Sequence, residues 1–363
     1  MIVSIHIMRL FGALLALFLL VLPLNLKAAD AGLPRADGLP ALVQTGIAFI
    51  ELLGLDENGG TFDAVVDLRL RWTDSRLAKE GQLPNAPADT YREEAANAQL
   101  EKMWVPNVVL ANQVGEAGKV IYGLRISNDG RVELLRRITA KFSTEIEVSR
   151  FPFDRQKLSV AAAVQGNTIT EVALRFDQSD IDFSRPNAAA TIPGWTTGLV
   201  DIVNKPVSGW YNTIESRIVG SLDIQRQPGL VVASIFIPLI ASLLIPLLAL
   251  WLNKMEDGIF QVDTFELVNI VIGGLFTVIA LNFTIFSSYA VLSGGDNTVN
   301  RFLALSYITL AVALLVNILF GRFNILAVFF GRYVQEQAYV LLMWVVPIAV
   351  AVLVTAILLA AYV

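Results

Sequence analysis

DTFELVNIVIGGLFTVIALNFTIFSSYAVL, residues 263–292, decides the reading of this chain. Two acids, Asp263 and Glu266, open it, and no charged residue follows until Asp296. That is long enough for a helix that crosses a bilayer. At steps of three and four, Glu266, Asn269, Gly273, Phe276, Ala280, Phe283 and Ser287 fall on one helical face. This face begins with a carboxylate, passes an amide and a glycine, carries two phenylalanines and ends in a hydroxyl. An ionisable group where a helix meets the membrane marks an ion path or a paired site. The competing reading is a membrane helix whose small residues Gly273, Gly274 and Ala280 pack against neighbours.

The composition favours a membrane protein. Of 363 residues, 55% are hydrophobic and only 16% charged, too apolar for an ordinary soluble chain. The apolar residues concentrate after Gln227, so a polar domain precedes a membrane domain. The net charge of -5 argues against a nucleic-acid partner. There is no cysteine, which excludes disulfides and thiolate chemistry.

The single histidine, His6, lies in an N-terminal segment where Arg9 precedes the apolar run Leu10–Leu22 and Leu26-Lys27-Ala28-Ala29 supplies small residues. This predicts a secretory signal peptide over residues 1–29. The mature chain then has neither His nor Cys, so histidine catalysis, a histidine pH switch and a His/Cys zinc site are excluded. No cofactor and no metal site is expected.

Residues 30–226 read as a β-rich domain. Phe62, Ala64, Val66, Leu68, Leu70 and Trp72 alternate onto one face of a strand. Asp56–Gly60 forms a turn before it, and Asn128-Asp129-Gly130 is a hairpin signal. Strands are predicted at Val120–Ser127, Arg131–Phe142, Leu158–Val164, Ile169–Phe176, Thr196–Val203 and Thr213–Gln225, with a short helix between Thr90 and Lys102. Asp177–Gly194 is predicted as a long loop. Many short strands with closely spaced turns indicate an antiparallel sandwich. Residues 227–363 hold four predicted spans, at about 229–252, 264–292, 299–321 and 336–363. Four spans return the chain to the side it came from. Lys254, Arg322 and Arg332 fall in the inner loops and Arg301 in the outer one, in accord with the positive-inside rule. Phe323–Gly331 either extends the third helix or lies on the inner membrane surface.

Three motifs in order give the chain a family likeness. Trp72-Thr73-Asp74-Ser75-Arg76-Leu77 resembles a W-x-D-x-R-L segment, Trp104-Val105-Pro106-Asn107 a W-x-P segment, and Phe151-Pro152-Phe153-Asp154-Arg155-Gln156 an F-P-F-D-x-Q core. With Gly194-Trp195 and Arg226 behind them, the chain resembles the pentameric ligand-gated ion channels of the Cys-loop receptor superfamily, its bacterial members in particular. The resemblance implies a homopentamer: each subunit meets four identical subunits around a central pore, with a β-sandwich outside the membrane and four helices in it. The second helix would line the pore through the face named above, with Phe276 and Phe283 as a hydrophobic gate. Five copies of Glu266, with Asp263 nearby, would ring the inner mouth with carboxylates and select cations. The Pro-Ala insertion typical of the family's anion channels is missing. Permeant monovalent cations, membrane lipids and an unidentified small-molecule agonist are the implied partners.

The resemblance also implies a junction at which Glu57, Asp154 and Arg226 meet, beside Phe151, Pro152 and Phe153. Thr144 and Leu158 stand where the family's two cysteines fall, so the loop between them is expected to be held by packing of Phe151 and Phe153 and by Pro152. The family's aromatic ligand positions fall on Asp67, Ala111 and Gln165, none aromatic, which leaves Trp210 and Tyr211 as the available rings. A full aromatic cage for a quaternary amine is therefore not expected. Glu51, Asp67 and Glu215 are the carboxylates whose titration burial could shift. The Cys-free loop and short inner loops imply a bacterial inner-membrane protein with its N-terminal domain and C-terminus in the periplasm. A non-conducting, membrane-anchored periplasmic sensor is the alternative, and the acid and amide on the second helix count against it. A transporter would show internal repeats, and none is found. Nothing supports an enzyme, since there is no nucleophile motif, phosphate loop or paired-carboxylate site.

Overall fold

The computed structural model describes residues 32–34, 38–79 and 87–362. The signal-peptide expectation lies outside them. A long hairpin starts the fold, β1 (Ala41–Asp56) and β2 (Thr61–Thr73), with Gln44 opposite Arg71 and Asp56 opposite Thr61. Every second residue of β2 from Phe62 to Trp72 is buried, as its alternation predicts. β3 (Asp89–Arg92), β4 (Val108–Leu110), β5 (Gln113–Ile126), β6 (Arg131–Ser143), β7 (Arg155–Val164), β8 (Val172–Arg175), β9 (Trp195–Asn204), β10 (Val207–Ser208), β11 (Ile214–Glu215) and β12 (Arg217–Arg226) follow. They form a six-stranded sheet in the order β3-β5-β6-β2-β1-β8 and a four-stranded sheet in the order β4-β7-β12-β9, with β10 and β11 as a separate ribbon.

The two sheets bury one core, with Phe49, Phe62, Leu68 and Phe142 facing Leu158, Val160, Ile218 and Leu222. They approach so closely at Gly220 that a Cβ there would crowd Ile47. Three details depart from the sequence expectation. The 177–194 segment holds a helix, because Asp177 caps it. α1 (Glu94–Leu100) is the short helix expected in the polar stretch, and α2 (Gln178–Phe183) is the unexpected one, closed by a reciprocal box between Asp177 and Asp180. The strand expected over 213–225 is broken at Ser216, whose hydroxyl accepts from the Leu174 N–H. β5 starts at Gln113, well before Val120, through an irregular register between Val114 and Lys119.

Among the described residues, four helices are long and apolar enough to cross a membrane: α3 (Gly229–Trp251), α4 (Thr264–Ser288), α5 (Thr298–Arg322) and α7 (Arg332–Tyr362). α3 carries a widened turn at Val232–Phe236, just ahead of Pro238, where the ring removes a backbone donor. Between α3 and α4 the chain makes a hairpin, β13 (Met255–Glu256) and β14 (Ile259–Phe260), turned by Asp257 and Gly258, both at positive φ. α4 ends at Ser288, four residues short of the expected span, because Tyr289 leaves helical geometry and Ala290–Ser293 forms a tighter turn. Phe323–Gly331 does not extend α5. Asn324 is left-handed there, and a separate short helix, α6 (Ile325–Phe330), follows with Val328, Phe329 and Phe330 exposed.

Candidate functional site

α4 has two faces. Leu267, Val271, Gly274, Val278 and Ile285 are buried within the subunit. Glu266, Asn269, Gly273, Phe276, Ala280, Phe283 and Ser287 are all exposed, Phe276 by 67% and Phe283 by 76%. A row that starts with a carboxylate and carries two bare phenyl rings is left without a partner inside the subunit. Asp263 does a different job from Glu266. Its Oδ1 accepts the Phe265 N–H at 2.9 Å and caps the helix, while Glu266 projects free of any ion pair among the described residues. The adjacent glycines also differ. A Cβ on Gly273 would meet nothing, whereas one on Gly274 would strike Ile245 and Leu310. Gly274 is thus a packing glycine, and Gly273 and Ala280 are not part of that packing.

At the top of α3 the structure brings Glu57, Asp154 and Arg226 together. Arg226 Nε donates to Asp154 Oδ1 at 2.7 Å, and Nη1 donates to Glu57 Oε1 at 3.0 Å. Nη2 reaches the second oxygen of each carboxylate. The guanidinium lies 4.3 Å from the Trp195 ring centroid and 4.9 Å from that of Phe151. Burial alone would lower the Arg226 pKa; the hydrogen bonds and charges of Glu57 and Asp154 outweigh it and hold it above the ordinary arginine value. The cluster is buried, so removing one partner strands charge and costs about 3–5 kcal/mol.

Phe151 belongs to the core of the membrane helices although it sits in a β-domain loop. Its ring stacks with Phe236 of α3 at 6.3 Å and meets Tyr289, just beyond α4, at 5.9 Å. Phe153 is half-buried and meets Tyr362 of α7 edge-on at 5.7 Å, and the Phe151–Pro152 bond is cis. Packing is only part of what closes this loop. Gln156 donates to Glu147 O at 2.8 Å and to Asp154 Oδ2 at 2.7 Å, and accepts the Glu147 N–H at 2.9 Å. Thr144 Oγ1 donates to Lys157 O at 2.9 Å. Hydrogen bonds thus close the base of the loop, and Leu158 is turned into the sandwich core. The Gln in the F-P-F-D-x-Q motif was the available signal for this clamp.

Of the five candidate ligand residues, three surround one cleft. Gln165, Trp210, Tyr211 and Glu215 line a recess of about 430 Å³ at the tip of the β10–β11 ribbon. Trp210 and Tyr211 are 83% and 96% exposed, and Tyr211 has φ of 55°. Asp67 and Ala111 do not line it. Asp67 lies on β2, where both of its oxygens accept from Arg137, at 2.8 and 2.7 Å. This pairing raises the Arg137 pKa. The Ala111 N–H donates to Ala161 O at the far end of β4. Glu51 is exposed on β1. One junction contact was missed from sequence: Asn58 Oδ1, in the β1–β2 turn, accepts the N–H of Val291 beyond α4 at 3.0 Å. Within the W-x-D-x-R-L motif, Asp74 is buried and grips Arg76 with both oxygens at 2.8 and 2.7 Å, which fixes the turn after β2.

A sandwich carrying this clamped loop, set on four membrane helices, defines a class that comparison with known proteins identifies. The family described as "Neurotransmitter-gated ion-channel ligand binding domain" matches residues 32–228, more than half of the chain. The chain belongs to this family, the pentameric ligand-gated ion channels of the Cys-loop superfamily, which are not enzymes. It is 28% identical over 227 residues to a proton-gated ion channel of Gloeobacter violaceus, covering 62% of this chain and 60% of that one. It is 25% identical over 236 residues to a gamma-aminobutyric acid receptor subunit beta of Caenorhabditis elegans (61% and 39%). Over 225 residues it is 25% identical to the acetylcholine receptor subunit gamma of Rattus norvegicus (60% and 42%). The matched region spans no more than about 60% of the length of these relatives.

Proposed function

We propose that five identical copies of this chain form a ligand-gated channel that conducts monovalent cations across a bacterial inner membrane, with α4 lining the pore. The observation that carries the reading is the unpartnered face of α4: its opposite face is buried against α3 and α5, while all seven residues from Glu266 to Ser287 on the free face are exposed. A ring of Glu266 carboxylates attracts cations and repels anions, and rings of Phe276 and Phe283 close a pore by excluding water. The domain over 30–226 faces the periplasm, as does the C-terminus. A small-molecule agonist binds near the Gln165, Trp210 and Tyr211 cleft and acts through the Glu57–Arg226–Asp154 junction on residues beyond α4. The Gloeobacter relative is a proton-gated ion channel, which makes acidification the first stimulus to apply.

The test is electrical. Purified protein in a planar bilayer under a sodium chloride gradient is expected to give unitary currents that reverse near the sodium potential. Glu266→Gln should lower the conductance and move the reversal potential towards zero. A reversal potential unchanged by the substitution would remove Glu266 from the selectivity role, and the lack of any current across stimuli would remove the pore.

A further inference from the structure

The inner end of α4 rests on a polar hub built around one side chain of α7. Gln335, near the start of α7, is fully buried. Its Oε1 accepts the Ala327 N–H of α6 at 2.8 Å. Its Nε2 faces three acceptors: Gly258 O in the β13–β14 turn at 3.0 Å, Phe320 O at the end of α5 at 3.2 Å, and Asn324 Oδ1 at 2.9 Å. One amide thus joins α7 to the β13–β14 turn, the end of α5, the Asn324 link and α6. Tyr339, one turn further along α7, donates to Leu250 O at the end of α3 at 2.7 Å, and its ring packs edge-on against Phe260 at 4.9 Å. Two glycines keep the contact tight. Gly258 lies on the backbone of Arg332, and Gly321 lies against Phe260 and the Thr264 hydroxyl, so a Cβ at either would collide. Thr264 is the first residue of α4, and Glu266 is two residues on.

Such a hub fixes position more than it adds cohesion. An amide that satisfies donors and acceptors from several segments allows one arrangement of them, since any shift leaves buried polar groups unpaired. The β13–β14 hairpin leads directly into Asp263 and the capped first turn of α4, so the seat of the hairpin sets the height and rotation at which Glu266 emerges. We propose that Gln335, supported by Tyr339, is a positioning residue for the inner mouth of the pore: the base of α7 holds the hairpin in place and thereby sets the geometry of the Glu266 ring and its ion selectivity. This rests on the pore reading of α4.

The absence of cysteine lets single labels report on the assembled full-length channel. Spin labels at Glu266→Cys and, separately, at Ser287→Cys at the outer end of the same helix are measured by pulsed dipolar spectroscopy, with and without Gln335→Met. The distances at 266 are expected to shift or broaden, while those at 287 stay as they were. Unchanged distances at 266, or equal changes at both positions, overturn the proposal. Tyr339→Phe removes one oxygen and keeps the ring. It should produce a smaller change in the same sense, and it carries the test if Gln335→Met does not assemble; no change at 266 with Tyr339→Phe then overturns it. In bilayers, Gln335→Met should move the reversal potential towards zero in the native background and have no further effect with Glu266→Gln present. Labels that respond at 266 in a protein that passes no current would sink the pore reading while leaving the positioning role intact.

Discussion

The ring of Phe151 is held between the guanidinium of Arg226 at 4.9 Å and the ring of Tyr289 at 5.9 Å. One side chain of a β-domain loop therefore touches both the residue that leads into α3 and the residue that follows α4. The charged cluster around Arg226 and the aromatic core of the membrane helices both contact this phenyl group, so the sandwich packs directly against the segment that follows α4.

Arg226 is expected to behave differently when removed alone and when removed with its partners. Arg226→Met leaves two buried carboxylates facing each other and should lower stability by about 3–5 kcal/mol, read from thermal dissociation of the assembly. Adding Glu57→Gln and Asp154→Asn should recover most of that loss. Gating should stay impaired in the triple variant, and wild-type gating there would assign the cluster to folding only.

Phe276 and Phe283 are predicted to differ as barriers. Phe276→Ala should raise the spontaneous open probability of the unliganded channel, with a smaller effect from Phe283→Ala. Burying rings together is worth roughly 25 cal/mol per Å² of apolar surface removed from water. Spontaneous current from the two variants, recorded side by side, decides the level of the gate, and the reverse order would move it one level outward.

Gly273 and Gly274 should respond in opposite senses to alanine. Gly274→Ala forces a methyl group onto Ile245 and Leu310 and should cost about 1–3 kcal/mol. Gly273→Ala meets open space and should be neutral or gain up to about 1 kcal/mol from helix propensity. Thermal stability of the two variants in detergent separates them.

Asp177 offers a test in pH. Burial would raise its pKa, but the Asp180 N–H and the Arg71 charge outweigh it and hold it below the ordinary carboxylate value. A depressed folded pKa means that the stabilisation is complete above the unfolded value near 4 and is lost as pH falls through the folded value. Asp177→Ala should therefore speed hydrogen exchange in α2 at neutral pH, with a helix-cap loss of about 1 kcal/mol. The gap from the native chain should close in strong acid. A constant gap would show that the charge of Asp177 contributes nothing.

What could be read from sequence was local and periodic. The alternation of Phe62 to Trp72 and the three-and-four spacing of Glu266 to Ser287 depend on neighbours within one element, and both appear in the structure as a buried and an exposed face. The meeting of Glu57, Asp154 and Arg226 was legible only through the family resemblance, because residues up to 169 positions apart must converge. The resemblance places Asp67 at a ligand position, while its partner Arg137 is set by β-sheet register, 70 residues away. Two further features are local in the sequence. Asp257-Gly258 is a strong hairpin dipeptide, and Asp177 with Asp180 three residues on forms a helix cap. Gln335 carries no sequence signal, since a buried amide on an apolar helix gains meaning only from the carbonyls that surround it.

The seat at Gly274 has a consequence for how α4 moves. Its backbone lies against Ile245 and Leu310 a little inward of the middle of the helix, and the inner end is stapled beneath by the hairpin and Gln335. A rod clamped at its base and wedged partway along acts as a lever with a fixed fulcrum. Displacement delivered at Tyr289 is then taken up on the Phe283 side of Gly274 while Glu266, at the stapled end, stays in place, which under the proposed pore reading would separate the moving part of α4 from the carboxylate ring.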